Sequence, residues 1–374
     1  MIRKLSQTQT FDTITIVTSE SSTPQTIQHK DADEAHKTLG TMLCPPGNQQ
    51  AEAQRMLLKS RHNVNIATSM LLTTDEGWNF YFAKWLMAMS YSLPATFLTQ
   101  QQCNKIMACA TGMFLNTLHY PRTFARAITF APIQSGGVGL RDLWVEQGSV
   151  HVVKVLLAYG RSRDNILWNT LIVTYRWYHQ MCGTTQHPFA TPQLLPLYTP
   201  EGWFLETHRF LKESNIGILW PQLPDKHSQY NNDVNIMEYA MSHVKSPSEM
   251  KKINACRIYC RGTFLSDFCY PDGQRLHNKW LFPSMVPLRT TVDQWPIQSK
   301  PNEATWTVFR RFLRRAFCQT NRSNILRHRL RRKDMTTLSP ITPIYDTFLD
   351  YIQRLPPFET ALLSNIGEHR TPHL

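Results

Sequence analysis

Helix-start signals between residues 49 and 185 constrain this chain more than any other feature of its sequence. Thr73 with Glu76, and Thr99 with Gln102, stand at the spacing of a capping box, in which each partner binds a free N–H group of the first helical turn. Apolar residues recur at helical spacing after each box, and Gly183 suits the position just past a helix end. The sequence therefore predicts a helical domain over residues 49–185.

The remaining chain shows a short β element at the start and helices at the end. Residues 11–18 alternate apolar and polar side chains, which predicts a strand, and residues 26–29 are a candidate partner. Helices are predicted over 246–261 and 302–317, and prolines mark residues 186–232 as a linker region containing one helix. The predicted fold is mainly α, with a mostly helical C-terminal region. The predicted regions are 1–48, 49–185, 186–232 and 233–374.

Positive charge is concentrated in one segment. The chain has 40 Lys+Arg and 27 Asp+Glu, a formal net charge of +13. Residues 310–333 hold ten of these basic residues and no acidic one, so the rest of the chain carries only +3. Guanidinium groups pair with phosphate in a bidentate way, and the segment therefore favours a polyanionic partner.

A helical wheel separates the two faces of the predicted helix 302–317. Its aromatic residues and leucine lie on one arc, and its arginines lie on the other. Phosphate contacts from such a face give salt-sensitive binding that does not depend on sequence. A solvated basic face, a nuclear-import-like run and an anionic membrane surface are the alternatives. The candidate nucleic-acid-binding residues are Arg310, Arg311, Arg314, Arg315, Arg327, Arg329, Arg331, Arg332 and Lys333.

Common catalytic signatures are missing from the sequence. It has no Asp-Asp pair for a two-metal site, no phosphate loop of the GxxxxGK[ST] type, no HExxH and no GxSxG. Cys256, Cys260, Cys269 and His277 could close a tetrahedral zinc site, but their spacing is not a common one. Buried free thiols are the favoured interpretation, so no catalytic residue, metal site or cofactor is predicted.

An ordered set of short motifs follows residue 38. Leu39-Gly40 comes first, and Tyr91-Ser92-Leu93-Pro94 follows. Residues 135–140 then read SGGVGL, with Gly136, Gly137, Gly139 and Leu140 as the informative positions. Glycines permit positive φ and close backbone approach, so exposed N–H groups could meet phosphate there, although a tight connection between helices is the favoured reading. Tyr91 is expected in the core, on a helical apolar arc.

In this order the motifs resemble those that follow the palm of non-LTR retrotransposon reverse transcriptases, and their spacing resembles versions of these elements found in algae. The resemblance covers about 120 residues, and a fainter likeness continues toward Trp306. The family's catalytic Tyr-x-Asp-Asp lies upstream of the Leu-Gly motif, and the 38 residues before Leu39 do not contain it. The resemblance therefore implies a palm-end β element, a helical thumb and a C-terminal extension, with Mg²⁺ belonging to the missing palm.

The resemblance also implies partners. A thumb grips template–primer through its backbone, so RNA or an RNA–DNA duplex is the expected ligand, and a separate palm-containing chain is a second expected partner. The alternative function is a domesticated nucleic-acid-binding protein with no polymerase role. The start of the sequence lacks an apolar leader run, and its longest apolar stretch is broken by Lys84 and Pro94. We therefore expect an intracellular protein, nuclear or cytoplasmic, with no membrane partner.

Overall fold

The computed structural model describes residues 14–18, 21–27, 34–44, 47–160, 165–219, 226–282, 295–296 and 298–333. The chain is mainly helical, with a short two-stranded sheet before the helices, as the sequence predicts. The α-helices are α1 Gln50–Ser69, α2 Thr74–Asn79, α3 Met87–Ser90, α4 Gln100–Thr117, α5 Arg126–Phe130, α6 Leu143–Tyr159, α7 Ile166–Cys182, α8 Trp203–Glu213, α9 Ile236–His243, α10 Pro247–Cys260, α11 Asn278–Leu281 and α12 Glu303–Phe317. The strands are β1 Ile14–Thr18, β2 Ser21–Ile27, β3 His36–Thr38, β4 Thr41–Leu43, β5 Tyr230–Asn231 and β6 Arg331–Arg332.

The strands of the described chain form three antiparallel pairs. In the first pair Ile14 lies opposite Ile27, so the strand predicted over 11–18 finds its partner slightly upstream of residues 26–29. In the second pair Leu39 and Gly40 connect β3 to β4 with φ values of 48° and 86°. A two-residue hairpin turn with both φ values positive matches the right-handed twist of its strands, which explains the glycine.

The predicted capping boxes form. The hydroxyl of Thr73 accepts from the amide of Glu76 while the Glu76 carboxylate accepts from the amide of Thr73, and Thr99 with Gln102 does the same. One helix departs from the predicted course, because residues Phe80–Leu86 widen into a π-helical turn between α2 and α3. Within this turn the indole N–H of Trp85 donates to Ser60 Oγ at 2.9 Å, which ties the turn to α1.

Three clusters of buried apolar side chains make up the described core. The first joins α1, the α2–α3 segment, α4 and the start of α6. The second joins the end of α6 with α7 and α8, and the third joins α9, α10, α11, α12 and residues 318–330. The Pro-rich region 186–232 contributes Phe189, Phe204 and Leu211 to the second cluster. Its described part therefore packs against the helices on both sides, while the four-region division stays a prediction.

Side chains from the Pro-rich region and from the C-terminal region cap the end of α7. The last carbonyls of a helix have no partner within the helix, and buried ones need partners from elsewhere. The guanidinium of Arg257 on α10 donates to the carbonyls of Gln180 and Met181, at 2.6 Å and 3.1 Å. The Tyr198 hydroxyl donates to the Cys182 carbonyl at 2.6 Å. These bonds join the second and third core clusters and hold α10, which supports the basic helix α12.

Candidate nucleic-acid interface

Helix α12 lies on the third core cluster by its apolar arc. Asn302 caps its N-terminus by accepting from the amide of Thr305 at 2.9 Å. Trp306, Phe309 and Leu313 are fully buried, and Phe312 and Phe317 are nearly so. This placement is the one that the wheel predicts, and it turns the basic arc away from the core.

The four arginines of α12 do not all face solvent freely. Arg310 is half-buried, donates to the carbonyl of Leu281 at 3.3 Å, and lies over the ring of Phe282. Arg314 donates to Asn324 Oδ1 at 3.2 Å. Arg311 remains exposed but is 3.4 Å from the carboxylate of Glu249. Two of the four guanidiniums thus fasten α12 to its neighbours, and their role is partly structural.

The Glu249 side chain binds the basic helix instead of completing a capping box on its own helix. Glu249 stands three residues after Ser246, which is the spacing of a capping box. In the structure Ser246 Oγ accepts from the Glu249 amide, but the Glu249 carboxylate turns to Arg311 instead. A surface ion pair of this kind contributes at most about 1 kcal/mol. Arg311 therefore remains able to exchange this partner for a phosphate.

Residues 318–333 return along the surface beside α12. The amide of Gln319 donates to the carbonyl of Ile325, and the amide of Leu326 donates to the carbonyl of Gln274. Arg327 reaches back to the end of α12, where it donates to the carbonyls of Cys318 and Arg315 at 2.8 Å and 2.9 Å. Leu326 and Leu330 are buried, while the basic residues between and after them are exposed.

Five cations of residues 310–333 are exposed, and their side chains make no hydrogen bond or ion pair with the described residues. We call them the open cations. By contrast, Arg310, Arg314 and Arg327 each have a protein acceptor, and we call them the anchored arginines. The open cations are Arg315, Arg322, Arg331, Arg332 and Lys333.

The topology adds a further cation that lies outside segment 310–333. Arg275 pairs with Ile325 in a β-bridge, and 60% of its side chain is exposed. Arg329 donates to the carbonyl of Asp272 at 3.3 Å, so the turn at residues 271–274 lies beside the basic segment. We call the outer face of α12, residues 318–333 and Arg275 the basic surface. The sequence did not indicate Arg275, because only backbone pairing across 50 residues brings it here.

The glycine motif does not offer amides to a ligand. The amides of Gly136, Gly137 and Gly139 donate to the carbonyls of Ile133, Pro132 and Ala131, and those of Val138 and Leu140 donate to Ile128 and Thr129. The phosphate-contact reading of this motif is therefore wrong. A Cβ on Gly137 would lie 2.1 Å from the Ala131 carbonyl oxygen, so the glycines allow a tight connection into α6.

Two motifs of the predicted series meet in space. The hydroxyl of Tyr91 donates to the carbonyl of Leu39 at 2.7 Å, and its ring covers Gly40. Tyr91 is 63% exposed, so the expectation of a core position was wrong. It lies past the π-helical turn, on the outside of the helix, and packs on the β3–β4 hairpin instead of the core.

The cysteine-rich segment does not form a metal site. Within the described ranges no group of three or more His, Cys, Asp or Glu side chains is arranged to hold a metal ion. Cys269 donates to the carbonyl of Leu265, and His277 accepts from the amide of Lys279 to cap α11. Burial raises the pKa of the Cys256 thiol far above its usual value. These groups fill structural roles in the fold.

No family model matches the chain, and neither a curated protein nor a solved structure matches it. Among the helices that the structure describes, none is long and apolar enough to cross a membrane.

Proposed function

We propose that this chain binds nucleic acid through the basic surface, as the C-terminal part of a retrotransposon reverse transcriptase that lacks its own catalytic carboxylates. The observation that carries the proposal is the set of open cations carried by α12 and by residues 318–333, which pack on a folded support. They are not consumed by ion pairs with described residues, so their charge is available to phosphates.

Charge balance around the surface supports a polyanion as ligand. Glu249 pairs with Arg311, Glu303 at the start of α12 pairs with Arg310, and Asp272 pairs with Arg275, each in a single ion pair at 3.4–3.7 Å. Only two of these carboxylates pair with the segment 310–333, which carries ten basic residues. A concentrated positive field of this kind raises the local concentration of an anionic chain and releases its counterions on contact.

The reverse-transcriptase part of the proposal rests on the order of the motifs. Tyr91 contacts the Leu39–Gly40 hairpin, so two of these motifs stabilise each other's position in the fold. The glycine turn leads directly into Asp142, which caps α6 by accepting from the amides of Trp144 and Val145. Under this proposal polymerisation requires a palm with its catalytic carboxylates, which this sequence does not contain.

The test compares nucleic-acid binding by the full chain and two variants of equal net charge. In the charge variant all five open cations become glutamine. The control variant instead changes five lysines and arginines outside the basic surface, whose side chains are exposed and make no polar contact with described residues. The control positions are Lys37, Arg61, Lys84, Lys105 and Arg126.

Binding to a labelled RNA–DNA duplex and to RNA is measured by anisotropy across a salt series. We expect the wild type and the control variant to bind with similar salt slopes. The slope of log K against log salt decreases in magnitude by about 3.5 for RNA and about 4.5 for the duplex in the charge variant if all five side chains contact phosphate. Equal binding by all three proteins would overturn the proposal.

The two origins, transposon part and domesticated binding protein, are separated by adding a partner. A palm-containing reverse transcriptase fragment from a related element is mixed with the chain and primer extension is measured with Mg²⁺ present. Extension above that of the fragment alone favours the reverse-transcriptase role. Binding without any such gain favours the domesticated alternative.

A further inference from the structure

Helix α12 is flanked by other helices and does not project from the protein. On one side Arg311 meets Glu249 of α10, and on the other Arg310 meets the end of α11 at Leu281. A helix that reads duplex DNA enters the major groove, which is about 12 Å wide and must receive the whole helix. Because α10 and α11 flank it, α12 presents its charges along a surface and cannot enter the major groove as a whole helix.

An aromatic stack borders the same surface. The rings of Tyr270 and His277 lie 4.2 Å apart with an interplanar angle of 14°. The guanidinium of Arg275 lies 5.8 Å from the centroid of the Tyr270 ring. The backbone joins this stack to the basic segment, because the amide of Leu276 donates to the carbonyl of Asn324 at 2.8 Å. Both rings are only half-buried, so the stack reaches solvent.

We infer that the ligand of the basic surface is single-stranded nucleic acid, with one base stacking on the Tyr270–His277 pair and the flanking phosphates meeting Arg275 and Arg329. This inference rests on the proposed function and names its ligand class. Aromatic rings beside cations are the means by which proteins hold single strands, because every base has a face that stacks. In a duplex the bases are already stacked and only phosphates are offered to such a surface.

The exposed guanidinium of Arg275 fits this role. It makes a single long ion pair with Asp272, at 3.7 Å, and lies loosely over the tyrosine ring. A base can therefore take its place on the ring while the guanidinium turns to a phosphate. Stacking between a base and an arginine plane is a further contact of the same kind.

The test uses the full chain with a 20-nucleotide RNA, the same sequence as DNA, and the matching RNA–DNA duplex. Tyr270→Leu removes the ring, and Tyr270→Phe restores it. His277→Asn removes the imidazole but keeps an acceptor for the Lys279 amide, since asparagine is a good N-cap. His243→Asn is the matched control, because His243 forms a similar stack with Tyr239, at 3.9 Å.

We expect Tyr270→Leu and His277→Asn to weaken single-strand binding by about fivefold to a hundredfold, as loss of one stacked base does. Their duplex affinity stays at the wild-type value, which also shows that they fold. Tyr270→Phe and His243→Asn bind single strands as the wild type does. As a measurement without mutation, an oligonucleotide containing 5-iodouracil is irradiated with the wild-type chain, and crosslinks at Tyr270 or His277 are expected.

Two results would overturn the inference while leaving the proposed function intact. One is tighter binding of the wild type to the duplex than to the single strands at equal salt. The other is wild-type single-strand affinity in both ring variants, with crosslinks only at other residues. Failure of the proposed function is recognised separately, because then the charge variant binds every probe as well as the wild type.

Discussion

The guanidinium carbon of Arg257 lies 2.7 Å from the position that a Cβ on Gly183 would occupy. Gly183 ends α7 with a φ of 73°, a left-handed conformation that costs other residues about 1–2 kcal/mol. Two features therefore require a glycine here: the backbone has a positive φ, and the Arg257 side chain leaves no room for a Cβ. This contact lies where α7 meets the C-terminal region.

Gly183→Ala is expected to destabilise the fold more than an alanine at a glycine with the same backbone but free space. Gly136 is that control, since its φ is 77° and no atom lies within 4 Å of its Cβ position. Gly136→Ala costs only the conformational strain of about 1–2 kcal/mol, while Gly183→Ala adds an overpacking cost of about 1–3 kcal/mol. Urea unfolding of both variants measures this difference. Equal midpoints would contradict the assigned contact.

Arg257 itself is expected to be the most costly side chain to remove on α10. It is fully buried, and its guanidinium bonds to Asn254 Oδ1 and to the carbonyls of Gly262, Gln180 and Met181. Burial lowers its pKa to about 10, so it stays charged at neutral pH. Arg257→Met removes the donor from all four acceptors, of which the Met181 carbonyl still accepts from Asn254 Nδ2, and we expect a loss of about 3 kcal/mol or more.

Lys251→Met on the same helix is the control for that substitution, because Lys251 is exposed. It is expected to change the unfolding free energy by less than about 0.5 kcal/mol. Denaturant unfolding followed by circular dichroism gives both values. A small effect of Arg257→Met would show that the joint between α7 and α10 is held by apolar packing alone.

Local signals were enough to predict most helices. Thr73, Thr99 and Asn302 each cap a helix that begins at the next residue, because a cap depends on groups only two or three residues away. The apolar arc of α12 was predicted for the same reason, since a helix repeats its faces without help from distant residues. The mainly α fold follows from these elements.

Features that depend on distant residues were not predictable. Arg275 joins the basic surface only through its pairing with Ile325, and Arg310 turns to a carbonyl on another helix. The exposure of Tyr91 depends on the π-helical turn, which changes the face that follows it. The buried Arg257 gave no signal, because its acceptors are the carbonyls at the end of α7.

The anchored arginines are expected to act on stability, and the open cations on binding. Arg327 holds the end of α12 through two carbonyls, so Arg327→Met loses about 1–3 kcal/mol of unfolding free energy. Arg331 is exposed and makes no polar side-chain contact with described residues, so Arg331→Met leaves stability unchanged and weakens nucleic-acid binding. Melting temperatures and anisotropy of the two variants separate these roles. A stability loss in Arg331→Met would contradict the division.

Acid is expected to destabilise the fold through buried neutral histidines. His151 contacts Thr207 Oγ1 and the carbonyl of Leu93, at 3.0 Å and 3.1 Å, and His208 lies 3.0 Å from the hydroxyl of Tyr178. Burial lowers the pKa of each histidine to about 4, against about 6.5 in an unfolded chain. Between these values the unfolded state binds more protons, so stability falls as pH falls.

Between pH 6.5 and 4, each of the two histidines makes the unfolding free energy rise with pH by up to about 1.4 kcal/mol per pH unit. Burial also raises the pKa of Glu206 to about 7, so this carboxyl makes the unfolding free energy fall with rising pH in that range. Because Glu206 is present in both proteins, the effect of the histidines is measured as the difference between the double variant and the wild type. The double variant His151→Gln, His208→Gln is expected to be less stable at pH 7 but to lose less stability on acidification. Urea midpoints from pH 7 to pH 4.5 measure this, with the exposed His243→Gln as control. Parallel pH curves for the double variant and the wild type would show that these histidines are not the acid-sensitive groups.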